Sequence, residues 1–518
     1  MSAPYDIAIV GSGFAGSLLG MIARRAGRSV LMVEQGTHPR FAIGESSTPL
    51  ANLYLEEIAA RYDLPRLKPL TKWGTWQRSY PQLACGLKRG FSFYHHTLGA
   101  PGADSCDRER QLLVAASPHD AVSDTHWYRA DLDHFLVREA VEMGVDYRDR
   151  VALLRMNESD DGVALEGERL GKAVDFRCKF LVDATGPRGF VHRALGMPEA
   201  RFPNFPATQA IYTHFSEVAR FGTNSQETPA PPFPADDAAL HHVFDGGWIW
   251  VLRFNNGLAS AGAAVTDSLA DRFRLEEGGA AWRRLLDLLP AVAEQFAGAK
   301  QERPFVHAGQ LSYLASSMAG RRWAMLPSAA GFVDPLLATG IPLTLAGVAR
   351  LGEIIARDWD SARFAQRVDN YAAQTRNEVL AAARVIGALY GTMGNFSLFT
   401  SISFLYFAAA SFAETARRLD KHQLASSFLL CEDPVFGPAC ARLCRQALEV
   451  RTEAESSDLR AAILRDIEPF NVAGLGDARR RNWFPVESCD LLQGAGKLGV
   501  TEEAVLRLLQ RTGFAMPN

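Results

Sequence analysis

The hydrophobic pattern at the start of the chain predicts a strand, a helix and a second strand. Ile7-Ala-Ile-Val10 is a short β-branched run that predicts a buried strand, and residues 17–25 have helical spacing. The glycine turn Gly11-Ser-Gly13-Phe-Ala-Gly16 joins the two. Ser29-Val-Leu-Met-Val33 predicts a second strand, which ends at Glu34. Alternating strands and helices of this kind are typical of an α/β fold with a parallel sheet.

Pro- and Gly-rich joints divide the rest of the chain. We expect a discontinuous α/β core over residues 1–200 and 301–358, with an antiparallel sheet over residues 201–300 between its two parts. A helical region is expected over residues 361–518. Helical patterns there lie at residues 378–384, 413–418, 440–450, 459–466 and 502–511.

Residues 385–413 form an uncharged stretch that is long enough to span a membrane. Glycines such as Gly387 and Gly391 dilute its hydrophobicity, as do several hydroxyl residues, and no basic cluster flanks one side. A pair of buried helices is therefore the favoured interpretation, and such helices could roof an apolar cavity. We expect no membrane span.

Composition excludes some classes of protein. The 518 residues are 47% hydrophobic and 22% charged, which is typical of a globular protein, and the net charge of -3 argues against a nucleic-acid partner. The seven cysteines include no C-x-x-C pair, so no metal site is predicted. The N-terminus lacks the basic region of a signal peptide. These features together favour the cytoplasm.

The glycine turn has the chemistry of a dinucleotide site. Gly11 permits a tight turn, Gly13 lets the backbone approach a pyrophosphate, and Gly16 lets helix and strand pack closely. Glu34 has the position of the acid that binds ribose hydroxyls. A second copy, Gly494-Ala-Gly496-Lys-Leu-Gly499, has no strand before it and is interpreted as a turn. These residues alone leave NAD and FAD open.

Downstream motifs favour FAD. Arg129 at a helix start, Val182-Asp183-Ala-Thr-Gly186 and the segment ending in Asp334-Pro335 resemble, in this order, the motifs of FAD-dependent aromatic hydroxylases and their relatives. The resemblance implies an FAD-binding, Rossmann-like α/β core whose antiparallel sheet covers the substrate. In that family the last motif usually reads Gly-Asp-Ala-Ala-Gly, and its Asp contacts the ribityl chain. Here Pro327-Ser328 stand in the places of Gly-Asp, so the hydroxyl of Ser328 replaces that carboxylate.

A closer resemblance is to flavin-dependent halogenases, in the branch that acts on phenols. Gly44-Glu45-Ser46-Ser47-Thr48-Pro49 is similar to the turn that lies beside the flavin ring in that family. The resemblance, together with the dinucleotide motif, implies an FAD site formed by Gly11, Gly13, Phe14, Ala15, Gly16, Glu34, Gln35, Glu45, Ser46, Arg129, Asp183, Gly186, Ser328, Asp334, Gly340 and Ile341.

The same resemblance assigns the catalytic lysine to Lys88, in Cys85-Gly-Leu-Lys88-Arg-Gly90-Phe91-Ser-Phe93. We predict one strand here. Its alternation would place Lys88 on the small, polar face and Phe91 and Phe93 on the other. Phe91 and Phe93 are predicted substrate contacts.

Two further segments resemble halogenase motifs. Trp248-Ile-Trp250 matches a Trp-x-Trp strand that separates substrate from flavin, although Leu252-Arg253 replaces the family's Ile-Pro. Both tryptophans are predicted substrate contacts. The loop after Asp334 resembles the halide loop and implies that Thr339 and Gly340 bind chloride or bromide. Tryptophan halogenases tend to carry Glu at the place of Leu337, so tryptophan is disfavoured as substrate.

The resemblance implies a chemistry in which reduced FAD, oxygen and halide give hypohalous acid, which Lys88 then holds by hydrogen bond or as a chloramine. A phenol would react more easily as its phenolate, so a nearby base is expected, and the candidates are His95, His96, His241 and His242. No second nucleotide fingerprint is credible, so reduced FAD is expected from a separate flavin reductase.

Two other functions stay open at this point. A flavin-dependent aromatic monooxygenase would hydroxylate its substrate without halide and would not need Lys88. A flavin-holding or membrane-associated protein would instead use residues 385–413. The natural phenol, its regiochemistry and the oligomeric state do not follow from the sequence.

Overall fold

Two large sheets and a layer of long helices form the part of the chain that the structure describes. The structure is a computed structural model and describes residues 4–100, 107–222 and 230–513. Its strands are β1 Tyr5–Val10, β2 Val30–Val33, β3 Cys85–Lys88, β4 Gly90–His95, β5 Gln111–Ala115, β6 Asp124–Trp127, β7 Asp146–Arg148, β8 Val151–Ser159, β9 Gly162–Arg169, β10 Lys172–Asp183, β11 Thr208–Ser216, β12 Ala239–Phe244, β13 Gly247–Arg253, β14 Leu258–Thr266, β15 Lys300–Gln301, β16 Val306–Ala308, β17 Tyr313–Leu314, β18 Ala319–Gly320, β19 Trp323–Met325, β20 Gly331–Phe332 and β21 Trp483–Phe484.

The helices alternate with strands in the first part of the chain and dominate its last third. They are α1 Phe14–Arg25, α2 Pro49–Arg61, α3 Trp73–Ser79, α4 Arg129–Glu142, α5 Phe190–Ala194, α6 Asp267–Phe273, α7 Gly279–Leu286, α8 Pro290–Phe296, α9 Pro327–Ala330, α10 Gly340–Arg357, α11 Phe364–Thr392, α12 Phe396–Arg418, α13 Phe436–Glu449, α14 Glu453–Ile467, α15 Ser488–Gln493 and α16 Glu502–Thr512. This pattern confirms the α/β fold class and the helical C-terminal region.

The first sheet is the dinucleotide-binding core. Its strand order is β18-β19-β10-β1-β2-β7, and β1 runs parallel to both β2 and β10. Val10 is aligned with Val33 on one side and with Asp183 on the other. The carboxyl ends of the three strands therefore meet at one edge, where ligands bind in open α/β sheets.

The second sheet is largely antiparallel, in the order β15-β11-β14-β13-β12-β4-β5-β21. The neighbouring pairs β11–β14, β14–β13 and β13–β12 are antiparallel and lie within the expected range 201–300. Strands β4, β5 and β21 come from outside that range, and β12–β4 and β21–β5 pair in parallel. Such pairings join distant parts of the chain, so local patterns could not reveal them.

The single strand predicted around Lys88 is two strands. β3 pairs with β6, whereas β4 pairs with β5 and β12, and Arg89 lies between them. Glycines permit this crossing, since a Cβ at Gly86 would lie 1.9 Å from the carbonyl oxygen of Arg253. The predicted alternation is therefore wrong, because Lys88 Nζ lies 3.9 Å from the ring centre of Phe91 and not on the opposite face.

The predicted pair of helices in residues 385–413 is confirmed as the end of α11 and most of α12. Among the described residues, two helical segments, Leu336–Arg357 and Phe396–Arg418, are long and apolar enough to cross a membrane, and 72% and 83% of their most apolar windows are buried inside the molecule. Core helices of globular proteins pass the same test, so these helices are weak grounds for a membrane span.

Candidate functional site

The glycine turn after β1 packs as a dinucleotide cradle. A Cβ at Gly11 would lie 2.6 Å from the carbonyl oxygen of Ala184, and one at Gly16 would lie 2.0 Å from that of Gly11. A Cβ at Gly13 would meet nothing closer than Arg129 Nη2, at 3.4 Å. Gly11 and Gly16 therefore hold α1 against the sheet, while Gly13 faces a cation. This arrangement fits the pyrophosphate of FAD, with Phe14 and Ala15 beginning α1.

Glu34 directly follows β2 and lies beside this turn. Its Oε2 accepts hydrogen bonds from the backbone N–H and the hydroxyl of Ser12, at 3.1 and 2.9 Å. Burial raises the pKa of Glu34, but the charge of Arg40 and these hydrogen bonds outweigh it and leave the pKa below its usual value. The side chain is thus an ionised acceptor suited to ribose hydroxyls. Gln35, next in the chain, is exposed.

Arg40 is a site residue that the sequence analysis missed. Its Nη2 lies 3.6 Å from Glu34 Oε2 and 3.8 Å from the position of a Cβ at Gly13. The guanidinium therefore faces the phosphate end of the cradle. The only signal in the sequence was an arginine shortly after Glu34, which a surface loop would show equally well.

Arg129 is the first residue of α4 and joins three parts of the site. It makes a bidentate pair with Asp133, at 2.8 and 2.7 Å, and donates to the carbonyl oxygens of Ile43 and Gly44. Its guanidinium also lies 4.8 Å from the ring centre of Phe14. These contacts fix the loop that begins at Gly44 beside the glycine turn.

Asp183 and Gly186 lie at the end of β10. Asp183 is buried and accepts hydrogen bonds from the backbone N–H groups of Thr185 and Val191, so it shapes its own turn. Burial raises its pKa. Gly186 has φ +87°, and a Cβ there would meet nothing within 4 Å. Ser328 is half-buried on α9.

A buried hydrogen-bond chain connects Asp334 to the Trp-x-Trp strand. The Tyr390 hydroxyl donates to Asp334 Oδ2 at 2.9 Å and accepts from Trp248 Nε1 at 3.2 Å. Burial raises the pKa of Asp334 from 3.8 to about 7. Trp250 Nε1 donates to Ser260. Tyr390 has no motif around it, so the sequence could not single it out.

The predicted halide loop lies directly after Asp334. Leu337 and Ala338 have positive φ values of 62° and 51°, and α10 then begins at Gly340. Thr339 is buried, whereas Gly340 is exposed and a Cβ there would meet nothing within 4 Å. Ile341 is buried in the first turn of α10. Helix N-termini with open backbone N–H groups favour anions, so the loop fits a halide.

Lys88 is completely buried and is held by the loop that begins at Gly44. Its Nζ donates to Ser46 Oγ at 2.8 Å and to the carbonyl oxygen of Ser47 at 2.6 Å, and it lies over the ring of Phe91. The preceding Glu45 is also buried and pairs with His214 Nε2 at 2.9 Å. The amine therefore faces the protein interior, beside the loop assigned to the flavin ring.

Burial changes the protonation of Lys88. It lowers the pKa of Lys88 from 10.5 to about 7, against the opposing attraction of Asp124. The buried imidazoles of His126 and His241 have pKa values lowered by burial and then by the charge of Lys88. Burial therefore favours the neutral amine, which is the nucleophilic form of a lysine.

A cavity of about 150 Å³ adjoins this site. Phe91 forms part of its wall, so one ring separates the cavity from Lys88 Nζ. Other walls come from distant segments, namely Thr48, Pro49, Val114, Tyr406, Phe407, Ala410, Phe484, Leu508 and Leu509. α12 therefore lines the cavity, as the sequence suggested. The C-terminal segments carried no signal for this role.

The structure does not bring the other predicted substrate residues to this cavity. Phe93 packs against His241, with ring centres 4.4 Å apart, and Trp248 lies 5.2 Å from the same imidazole. Together with Trp250, whose ring centre lies 5.4 Å from that of Trp248, they form an aromatic wall.

None of the four histidines proposed as a base lines the cavity. His95 contacts the carbonyl oxygen of Met393, His96 pairs with His242, and His241 contacts the carbonyl oxygen of Ser92. Burial lowers the pKa values of all four. The second glycine motif is a turn, as interpreted, with Thr501 capping α16.

The fold and the glycine cradle define a dinucleotide-binding α/β protein. The family model described as tryptophan halogenase matches residues 115–394, more than half of the chain. The chain therefore belongs to this flavin-dependent halogenase family.

Individual relatives agree with this membership. Tetracycline 7-halogenase of Kitasatospora aureofaciens is 31% identical over 352 residues, which cover 66% of this chain and 61% of the relative. Monodechloroaminopyrrolnitrin halogenase PrnC of Pseudomonas fluorescens is 29% identical over 350 residues, 66% of this chain and 59% of the relative. The match thus spans about three fifths of each relative's length.

Solved structures agree on the fold. The crystal structure of halogenase PltM in complex with phloroglucinol and FAD has a TM-score of 0.80 and 24% identity, and the match covers 90% of this chain and 96% of that one.

Proposed function

We propose that this protein is an FAD-dependent halogenase that places chlorine or bromine on a phenolic or otherwise electron-rich aromatic substrate. The observation that carries the proposal is the buried amine of Lys88. It is fixed by Ser46 and Ser47, in the loop that Arg129 connects to the glycine turn. The ring of Phe91 lies between the amine and an apolar cavity. A hydroxylase would have no use for a buried amine at this place.

The proposed reaction uses two separate parts of the protein, one for FAD and halide and one for the oxidant. The glycine cradle, Glu34 and Arg129 would hold FAD, which would supply, when bound, the oxygen chemistry that oxidises halide to hypohalous acid. The backbone of Thr339 and Gly340 holds the halide. Lys88 then holds the oxidant by hydrogen bond or takes up its halogen, because a neutral amine has a lone pair to do so.

The cavity supports a substrate with one aromatic ring. A cavity of roughly this size accommodates a benzene molecule in an engineered protein. Its walls are mostly apolar, with Tyr406 and Phe407 on one side. The phloroglucinol in the PltM complex is a phenol of this size, which supports a similar substrate here.

We also propose a separate flavin reductase as the source of reduced FAD. The one other G-x-G-x-x-G segment is a turn between α15 and α16, without a strand before it. Among the described residues, the glycine cradle at β1 is therefore the nucleotide site that the motifs favour.

The test supplies purified protein with FAD, a reductase, oxygen, bromide or chloride and a panel of single-ring phenols, and analyses the products by mass spectrometry. We expect products with the isotope pattern of bromine or chlorine, and none when halide is omitted. Hydroxylated products that form equally well without halide would instead establish the monooxygenase.

A further inference from the structure

The cavity beside Phe91 is lined by two polar side chains that the proposed reaction does not yet use. Lys72, the residue before α3, and Tyr406, on α12, both form part of its wall. The four histidines considered as a base lie elsewhere, so Lys72 and Tyr406 are the groups in a position to recognise a hydroxyl group on the substrate.

The other charged side chains that line the cavity are already engaged in ion pairs. Arg418 donates to Glu414 at 2.7 Å, within α12. Glu487 and Asp490 both pair with Arg480, at 3.1 and 2.8 Å. These five groups therefore satisfy one another within the protein.

Lys72 is half-buried, and its ammonium has no ion pair or hydrogen bond among the described residues. The backbone N–H of the next residue, Trp73, donates to the carbonyl oxygen of Ser123 at 2.8 Å, so Lys72 lies close to the start of β6. Burial raises the pKa of Asp124, on β6, from 3.8 to about 6, and the charge of Lys72 opposes this rise. A partly buried cation of this kind attracts an anion more strongly than an exposed one does.

Tyr406 is the second group without a partner. Its side chain is 3% exposed, and its hydroxyl forms no hydrogen bond in the part of the chain that the structure describes. By contrast, Thr415 on the same wall donates to the carbonyl oxygen of Ser411 at 2.8 Å. Burial raises the pKa of Tyr406, so its hydroxyl keeps the proton. Since buried polar groups are normally hydrogen-bonded, this hydroxyl is available as a donor to a ligand in the cavity.

We propose that Lys72 and Tyr406 bind the phenol oxygen of the substrate in its ionised form, so that the cavity selects phenolates over aromatic rings without such a charge. The inference rests on the proposed function and narrows its substrate class. The ammonium attracts the phenolate charge, and the tyrosine hydroxyl donates to the same oxygen. The phenol loses its proton to water, so no base in the protein is required.

The test measures the binding of 4-nitrophenol, a single-ring phenol whose neutral and ionised forms differ in visible absorbance. Difference spectra are recorded over a range of pH with the full chain, without and with oxidised FAD. Lys72→Met keeps the length of the side chain without its charge, and Lys172→Met, at an exposed strand end, is the matched control. We expect the ionisation constant of bound 4-nitrophenol to be about tenfold larger in wild type and Lys172→Met than in Lys72→Met, because a nearby cation favours the phenolate.

Two further variants and a matched ligand separate recognition of the charge from a change in the shape of the cavity. Lys72→Arg keeps a cation and should bind the phenolate within about threefold of wild type. Tyr406→Phe should weaken phenolate binding at least about threefold, because one hydrogen bond to a charged oxygen is lost. The methyl ether 4-nitroanisole cannot ionise and should bind equally well to wild type and Lys72→Met.

The proposal is overturned if bound 4-nitrophenol ionises equally in wild type and Lys72→Met, or if it shows no saturable binding to wild type. An equal loss of 4-nitroanisole binding in Lys72→Met also overturns it, since Lys72 would then act only on the shape of the cavity. Tighter binding of 4-nitrobenzoate than of 4-nitrophenolate would assign the cation to a ring carboxylate and overturn it as well. These measurements use neither halide nor oxygen, so absence of halogenated product from wild type contradicts only the proposed function.

Discussion

Burial changes the acid–base properties of individual side chains in this protein. Lys88 has a pKa of about 7 because its charged form is desolvated, and Ser46 and Ser47 hold its nitrogen in place. The family motif identified Lys88 from the sequence. Its cross-strand neighbour Asp124 could not be identified, because that position follows from the pairing of β3 with β6, which lie far apart in the chain.

Asp334 permits a test of burial that is independent of catalysis. Its folded-state pKa is raised from 3.8 to about 7, so its contribution to stability is fully present below pH 3.8 and is lost as pH rises through 7. Asp334→Asn keeps the shape but does not titrate. The free energy of unfolding of wild type relative to the variant should therefore fall by roughly 2 to 4 kcal/mol between pH 4 and pH 8.

The measurement is urea unfolding of both proteins without FAD over that range. A difference between the two proteins that stays constant with pH would contradict a buried carboxyl at this position.

At the scale of elements, most of the helices and strands that local patterns predicted are present in the structure. The run before Gly11 and the run before Glu34 are β1 and β2. The five helical segments after residue 361 lie in α11, α12, α13, α14 and α16, apart from Val450, which directly follows α13. The strand around Lys88 was the exception. The alternation of side chains continues through this segment of the sequence, but glycines at 86 and 90 let the chain pass between two sheets. Hydrophobic periodicity does not reveal such a close approach of two backbones.

Helix α12 forms one wall of the proposed substrate cavity. Ala410→Phe would place a ring in the cavity, and we expect the KM for a phenol to rise at least tenfold while FAD affinity is unchanged. Ala454→Phe, on the exposed face of α14, is the matched control and should have no effect. Steady-state kinetics and flavin fluorescence measure the two quantities, and an unchanged KM would place the substrate elsewhere.

At the scale of the whole molecule, the proposed function requires the predicted halide loop after Asp334 to lie apart from the amine. An aromatic row connects them: Trp248 contacts His241, whose ring lies 5.9 Å from that of Phe91, and Lys88 lies over Phe91. Motifs revealed the two ends of this row. The cavity beyond it is built from segments far apart in the chain, including β21 and α16, and such an assembly follows only from the tertiary structure.

Lys88→Ala tests the central claim most directly. Wild type and variant are supplied with bromide, oxygen, reduced FAD and a phenol. Brominated product is measured by mass spectrometry, and FAD binding is followed by fluorescence. The control variant is Lys172→Ala, at an exposed strand end. We predict that Lys88→Ala binds FAD as wild type does but forms no brominated product. Bromination by Lys88→Ala at the wild-type rate would contradict the account.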